Sequence, residues 1–485
     1  MGKNITDGTV RDKGDFSQGS IIGNIVRMSI PLTAAVLVNA LYNIVDRIYL
    51  GHIPGAGAFA LTGVGLAFPI ITVITAFQNL FGNGGAPLFA IARGKGDDKL
   101  ASSYLSNVTF MLVVTGLVLT ALGYALKQNV LWLIGASEAT FSYANDYLDI
   151  YLIGTVFVMI SVGLNPYVNA QGYAKTGMMT VMIGAVINIV LDPVFIFLLG
   201  WGVRGAALAT IIAQFVSAAW VLSFLTGKKA SVKLSFKGFR PDFKLVGKVA
   251  GLGVTDFCFA VTNSAVSMIC NSQLQILGGD AWVGAMTVIS SLREILLTVM
   301  HGVQGASRPI ISYNYGARRY DRARSAINWL FVFMLGYFLI LWACLMLFPG
   351  FFAGLFTDDP EVYRCSITAI RIFFCLQFFM ALQSSGQSTF TALGMARYAL
   401  FFSLLRKAIL VIPLVFILPH LFNLGVLGVF AAEPVSDVIG CSACFITMRI
   451  AIRKKFAEGV TREEKKEIRQ TIVQETVTPD TEIDE

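Results

Sequence analysis

Residues 41–51, LYNIVDRIYLG, form a largely apolar run that carries Asp46 with Arg47 beside it. A second apolar run holds Asp192, four residues after Asn188, so on a helix the amide and the carboxylate share one face. Ionised side chains are costly in hydrocarbon, roughly 2.5–3.5 kcal/mol even on lenient scales, so an embedded acid is a functional candidate by default. Two carboxylates joined by an amide, a hydroxyl and phenols would give an all-oxygen ligand set of the kind that suits a hard cation such as Na⁺. Two acids held close together also cannot both stay ionised cheaply, so the same pair could carry a proton. Arg47 is the obvious neutralising partner for Asp46. As the next residue on a helix it points about 100° away, so it is better placed to reach the surface or another helix.

These residues must be positioned by elements that cross a membrane. The chain has 485 residues, 55% hydrophobic and 14% charged, and 53–92 contain none of Asp, Glu, Lys or Arg. A soluble protein of this size needs more charge on its surface. With spans of about 20 residues, the apolar segments predict twelve: 24–50, 57–81, 101–126, 142–170, 176–199, 202–226, 244–277, 281–307, 323–349, 362–392, 397–421 and 424–452. One set of connections holds Arg93, Lys95, Lys99, Lys175, the basic stretch from Lys228 to Arg240, Arg318, Arg319, Arg322, Arg324, Arg397 and the cluster from Arg449 to Lys455. The alternate connections hold only Lys127, Arg204 and Arg364. That asymmetry predicts both termini in the cytoplasm. The first residues, with Asp7, Asp12 and Asp15 and no apolar core, do not read as a signal peptide. The tail from 456 reads as a solvated, partly disordered extension.

The two halves repeat. GGAPLFAIARGKGDDKLA (84–101) lies on GASRPIISYNYGARRYDRA (305–323), so that Pro87 meets Pro309 and Gly94 meets Gly316. AQGYAK (170–175) falls on ALGMAR (392–397) at the same spacing, and GVRGAA (202–207) on GVLGVF (425–430) one residue later. The expected fold is therefore an all-α membrane protein, with twelve transmembrane helices in two pseudo-symmetric six-helix bundles around a central cavity. The expected units are an N-terminal segment (1–23), a first lobe (24–226), a basic linker (227–243), a second lobe (244–452) and a tail (453–485).

Within this frame Tyr42, Asp46, Tyr147, Asp192 and Thr210 all fall about 6–12 Å below the outer ends of their spans, at ~1.5 Å per residue, with Asn188 one turn deeper. All belong to the first half. At the repeat spacing Asp46 lands on Met268 and Asp192 near Leu414, so the second half offers no counterpart. Secondary candidates are Asp256, Glu294 beside Arg293, and Glu433 with Asp437, which share a face and read either as latches or as cavity-lining groups. Pro31, fifteen residues before Asp46, lets the first span bend and is a gating candidate, or a plain kink. The seven cysteines all lie in apolar stretches of the second half; the Cys441–Cys444 pair has no second pair or histidine cluster with it and reads as packing.

IPLTAAVLVNALYNIVDRIYLG, QGASRPIISYNYGARRYDRA and AAEPVSD resemble the multidrug and toxic compound extrusion (MATE) transporters, over about 20–452. The branch most resembled is that named after the DNA-damage-inducible protein F. The resemblance implies a first-half cation site at Asp46, Asn188, Asp192 and Thr210, which would hold Na⁺ in a sodium-coupled protein. It also implies a surrounding network of Tyr42, Tyr147 and Asn165. Asn165 lies toward the other end of its span and joins only if that helix tilts or breaks at Pro166. A sister branch uses acids on the seventh and tenth spans; here the seventh has only Asp256 and the tenth carries Arg371 and no acid. The implied activity is export of cationic amphipathic compounds, driven by inward Na⁺ or H⁺, through the cytoplasmic membrane of a prokaryote. The expected partners are such small molecules and the lipid bilayer, with no cofactor, no nucleic acid and a monomeric state. The alternative is a lipid-linked oligosaccharide flippase of the same superfamily, favoured if Arg293, Arg371 and Arg406 face the cavity unpaired. No HExxH, P-loop lysine or Ser-His pairing supports an enzyme or an ATP-driven pump.

Overall fold

The structure, a computed structural model, describes residues 15–236 and 240–477. The readings made of Asp7 and Asp12, of Lys237 and of the last eight residues lie outside the described residues. The first lobe contains α1 (Ile21–Gly51), α2 (Gly57–Gly94), α3 (Asp98–Ile134), α4 (Glu138–Ala170), α5 (Ala174–Leu198) and α6 (Gly202–Thr226). The second contains α7 (Phe243–Gly278), α8 (Asp280–Gly316), α9 (Tyr320–Leu347), α10 (Pro360–Phe373 and Gln377–Ala392, bent by 48°), α11 (Ala396–Ile417) and α12 (Val426–Val477). No strand occurs among the described residues.

The helices start and stop for local reasons. Asp97 and Asp242 accept backbone N–H bonds at the starts of α3 and α7, and Ser137 forms a capping box with Thr140 at α4. Hydropathy locates the part of each helix that needs lipid. It misses the continuation: α2 runs to Gly94 and α8 to Gly316, a turn or more past the predicted ends. The backbone of α12 continues as a helix to Val477, through a stretch rich in Glu, Lys, Arg and Gln, which are strong helix formers. Three spans are irregular where the chain needs them to be. α4 loosens at Leu152–Gly154 and breaks before Pro166; α5 widens into a π turn at Val194–Leu198, just after Pro193; α11 does the same at Leu405–Val411.

The repeat is written in the backbone more fully than in the residue types. Left-handed conformations recur at Gly96 and Arg318, Gly172 and Gly394, Gly200 and Asn423, and Gly202 and Gly425, always 222 or 223 positions apart. Two of these pairs have no shared residue type.

The lobes meet through α1 and α2 on one side and α7 and α8 on the other. α1 packs against α5 in its own lobe and α8 in the other; α7 packs against α11 and α2 in the same way. Close approach needs glycine. A Cβ on Gly94 would lie 2.0 Å from the Tyr313 carbonyl oxygen, and one on Gly316 would lie 2.1 Å from that of Ile91. The inter-lobe contacts run from Phe77 to Gly94 on α2 and from Gly302 to Gly316 on α8, with Val249 to Phe257 on α7 and Leu32–Thr33 on α1. The lobes are thus closed on each other at the end that carries the first described residues. There Phe16 is buried, its carbonyl accepts from Asn314 (3.1 Å) and Arg322 (3.3 Å), and Asp15 accepts from the Tyr313 hydroxyl (3.2 Å).

Candidate cation site

Four helices of the first lobe converge on one polar cluster. α1 brings Asp46 and Tyr42, α5 brings Asn188 and Asp192, α6 brings Thr210 and α4 brings Tyr147. The Asn188 amide donates to Asp192 Oδ1 (3.2 Å) and to Thr210 Oγ1 (3.3 Å), and the Thr210 hydroxyl donates to the Ala206 carbonyl (3.0 Å). The carboxyl groups of Asp46 and Asp192 are close neighbours, and Tyr147 lies beside Thr210. Asp192 is 0% exposed and Asn188 2%, while Asp46 is half-buried.

The donors and acceptors of this cluster do not balance. With its Nδ2 committed, Asn188 turns Oδ1 inward, and Oδ1 of Asn188, Oδ1 of Asp46 and Oδ2 of Asp192 are all buried without a hydrogen-bond partner. An unpaired buried acceptor costs about 1–3 kcal/mol, more when charged. Three together, two of them on carboxylates, form a set that a positive ion or a shared proton would satisfy. Arg47 is not that partner: its guanidinium lies 4.8 Å from the Phe68 ring on α2, as expected for a side chain pointing away from Asp46. No ion pair to Asp46 or Asp192 occurs among the described residues.

Tyr151 belongs to this cluster and sequence reasoning missed it. It stacks on Tyr147 with ring centroids 5.7 Å apart and is buried beside Tyr42. The signal was present: Tyr151 follows Tyr147 by four residues, on the same helix face. Asn165 stands apart. The break at Pro166 exists, but Asn165 donates to the Gly177 carbonyl (3.0 Å), and Gly177 is eleven residues before Asn188, about 16 Å along α5 at 1.5 Å per residue. Pro31 lies within an unbroken α1, just before the Thr33 contact with Gly302.

The secondary candidates sort differently. Asp256 accepts from Asn83 of α2 (3.2 Å) and so ties the lobes together. Glu294 is exposed. Glu433 and Asp437 lie in a buried ionic cluster with α11: Arg406 bridges Glu433 (3.1 Å) and Asp437 (2.8 Å), and Lys407 bonds Glu433 directly. Of the two readings offered for Glu433 and Asp437, this pairing matches the latch, and the positions equivalent to Asp46 and Asp192 carry no acid. Lys407, 1% exposed, was not among the embedded charges seen in the sequence.

Twelve spans in two like lobes, with an unbalanced acid pair inside one of them, define a polytopic membrane transporter rather than an enzyme. The MatE family profile matches residues 31–194 and 258–417, and the chain belongs to that family of secondary transporters. The multidrug export protein MepA of Staphylococcus haemolyticus is 23% identical over 84% of this chain and 89% of its own length. Two solved structures share the fold. A MATE protein in the bent conformation has a TM-score of 0.86 at 24% identity, over 92% of this chain and 99% of the other. An outward-facing multidrug resistance MATE family transporter has a TM-score of 0.83 at 23% identity, over 91% and 98%.

Proposed function

We propose that this protein is a cation-coupled antiporter that exports cationic amphipathic compounds across the cytoplasmic membrane, with both termini in the cytoplasm. One observation carries the coupling site: the three unpartnered buried oxygens of Asp46, Asn188 and Asp192. Inward-moving Na⁺ or H⁺ would bind there, with Asp46, Asn188, Asp192 and Thr210 as its ligands and Tyr42, Tyr147 and Tyr151 shielding them. Cation binding favours one access state and substrate the other, so downhill entry of the ion drives the compound out. With the basic connections in the cytoplasm, the end closed by Gly94 and Gly316 is the cytoplasmic one, which makes this an outward-facing state. The name of the staphylococcal relative supports multidrug export, and placement of the acids in the first lobe supports the branch named after the DNA-damage-inducible protein F. Pro31 leaves α1 short of one backbone hydrogen bond and is the natural point for that helix to bend between states. The monomer holds a complete site in one chain.

Two of the three arginines that would favour the flippase are committed elsewhere: Arg406 is held by Glu433 and Asp437, and Arg293 by Asn263 (3.2 Å) with Glu433 at 3.9 Å. Arg371 is exposed in the last turn of the first part of α10.

The test is efflux of a cationic dye from vesicles containing the purified protein, under an imposed Na⁺ gradient or an imposed pH gradient. At least one gradient should accelerate efflux well above the leak, and the effective one identifies the ion. Dye movement indifferent to both gradients would reject the antiporter.

A further inference from the structure

The repeat that relates the lobes also relates the first-lobe cation site to the buried ionic cluster of the second. Thr210 of α6 lies 223 positions before Glu433 of α12, and the same spacing joins the left-handed Gly202 and Gly425 that open those helices. Thr210 meets Asn188 of α5; Glu433 meets Arg406 and Lys407 of α11, the repeat partner of α5. On α7, Cys270 is 4% exposed and close enough to feel the charges of Glu433 and Lys407, while Met268, at the repeat spacing from Asp46, is 73% exposed, so the α7 position equivalent to Asp46 takes no part in the cluster.

Each lobe thus buries two carboxylates, Asp46 on α1 and Asp192 on α5 in the first, and Glu433 and Asp437, both on α12, in the second. The difference lies in what faces them. In the first lobe no cationic side chain pairs with the acids among the described residues, and their outer oxygens are unpartnered. In the second, Arg406 pairs with both acids and Lys407 with Glu433. Both cations sit in the widened turn Leu405–Val411 of α11, which packs against α12.

We propose that the second lobe carries a counterpart of the cation site that is permanently filled by the chain's own Lys407 ammonium, braced by Arg406, so that only the first lobe exchanges its cation. This rests on the first-lobe reading above for its functional meaning. The filled site itself can be tested without it.

In the Asp46→Asn/Asp192→Asn background, which silences the first lobe, Lys407→Ala leaves a space the size of a small alkylammonium beside Glu433. Its Tm should fall by several degrees and be raised again by methylammonium chloride, whereas choline chloride, which has no N–H to donate, should not raise it. The Lys407 parent of that background should not respond to methylammonium. Equal responses to the two salts would overturn the proposal. A second arm does not depend on Lys407→Ala folding. Asn188→Lys, made in the otherwise unaltered protein, places a tethered ammonium beside Asp192 and Thr210. It should fold, should bind no Na⁺ (read with radioactive sodium) and should release no proton when substrate is added. An Asn188→Lys protein that still exchanged its cation like the parent would refute the idea that a tethered ammonium can fill such a site. Failure of the first-lobe reading would appear differently, as a parent protein that binds no cation at all, and would leave the methylammonium result standing.

Discussion

Asp46→Asn and Asp192→Asn should each reduce gradient-driven dye efflux to the leak of protein-free vesicles, while the purified variants keep the parent's fold and its elution position on size exclusion. Asparagine has nearly the volume of aspartate, so the packing of α1 against α5 is preserved. The negative charge is removed, and one oxygen is replaced by a donor. A cation then meets one carboxylate in place of two, and its preference for one access state collapses. A ligand shifts an equilibrium only by its differential affinity for the two states. The result should be uncoupling rather than unfolding. Tm should hold or rise, because the variant no longer buries two unpartnered carboxylate oxygens at one place. Efflux at the parent rate in either variant would remove that acid from the coupling site.

Gly94→Val should shift the protein away from the state described here. The valine Cβ would lie 2.0 Å from the Tyr313 carbonyl oxygen, and a backbone atom cannot rotate aside as a side-chain tip can. The lobes must part at the end they now close. Overpacking costs of about 1–3 kcal/mol correspond to a population shift of about 5–150-fold. Spin labels at Lys95 and Ala317, in a background without its seven cysteines, should report a longer distance in Gly94→Val. Gly316→Val should do the same from the opposite helix, through its 2.1 Å approach to the Ile91 carbonyl. Gly247→Ala on α7, where an added Cβ meets nothing within 4 Å, is the control and should leave the distances unchanged. Unaltered distances in both valine variants would contradict the assignment of this crossing as the closed gate.

Much of this architecture is legible in the sequence because lipid imposes it. A helix in hydrocarbon must be apolar along its length, so the twelve spans stand out, and any acid within one stands out in turn. Asp46, Asp192, Asn188 and Thr210 were found because they share a depth, and in the structure they meet. Asn165 fails by the same criterion. The repeat gave Gly94 and Gly316 as equivalents, but not that each packs against the other's helix. Equivalence is a property of sequence, contact a property of how the lobes dock. The left-handed turns at Arg318 and Asn423 were hidden because their partners in the first lobe are glycines. Pairing in the second lobe was hidden because the sequence places Arg406 and Lys407 on α11 and Glu433 and Asp437 on α12 without telling which faces of those helices meet.

Release of the coupling ion on substrate binding is the most direct measurement of what the Asp46–Asp192 pair does. Saturating cationic substrate is added to purified protein, and freed protons or radioactive sodium are counted. About one cation should leave the parent per substrate bound, and none should leave the Asp46→Asn/Asp192→Asn double variant. Undiminished release from the double variant would place the exchangeable ion elsewhere and contradict the account.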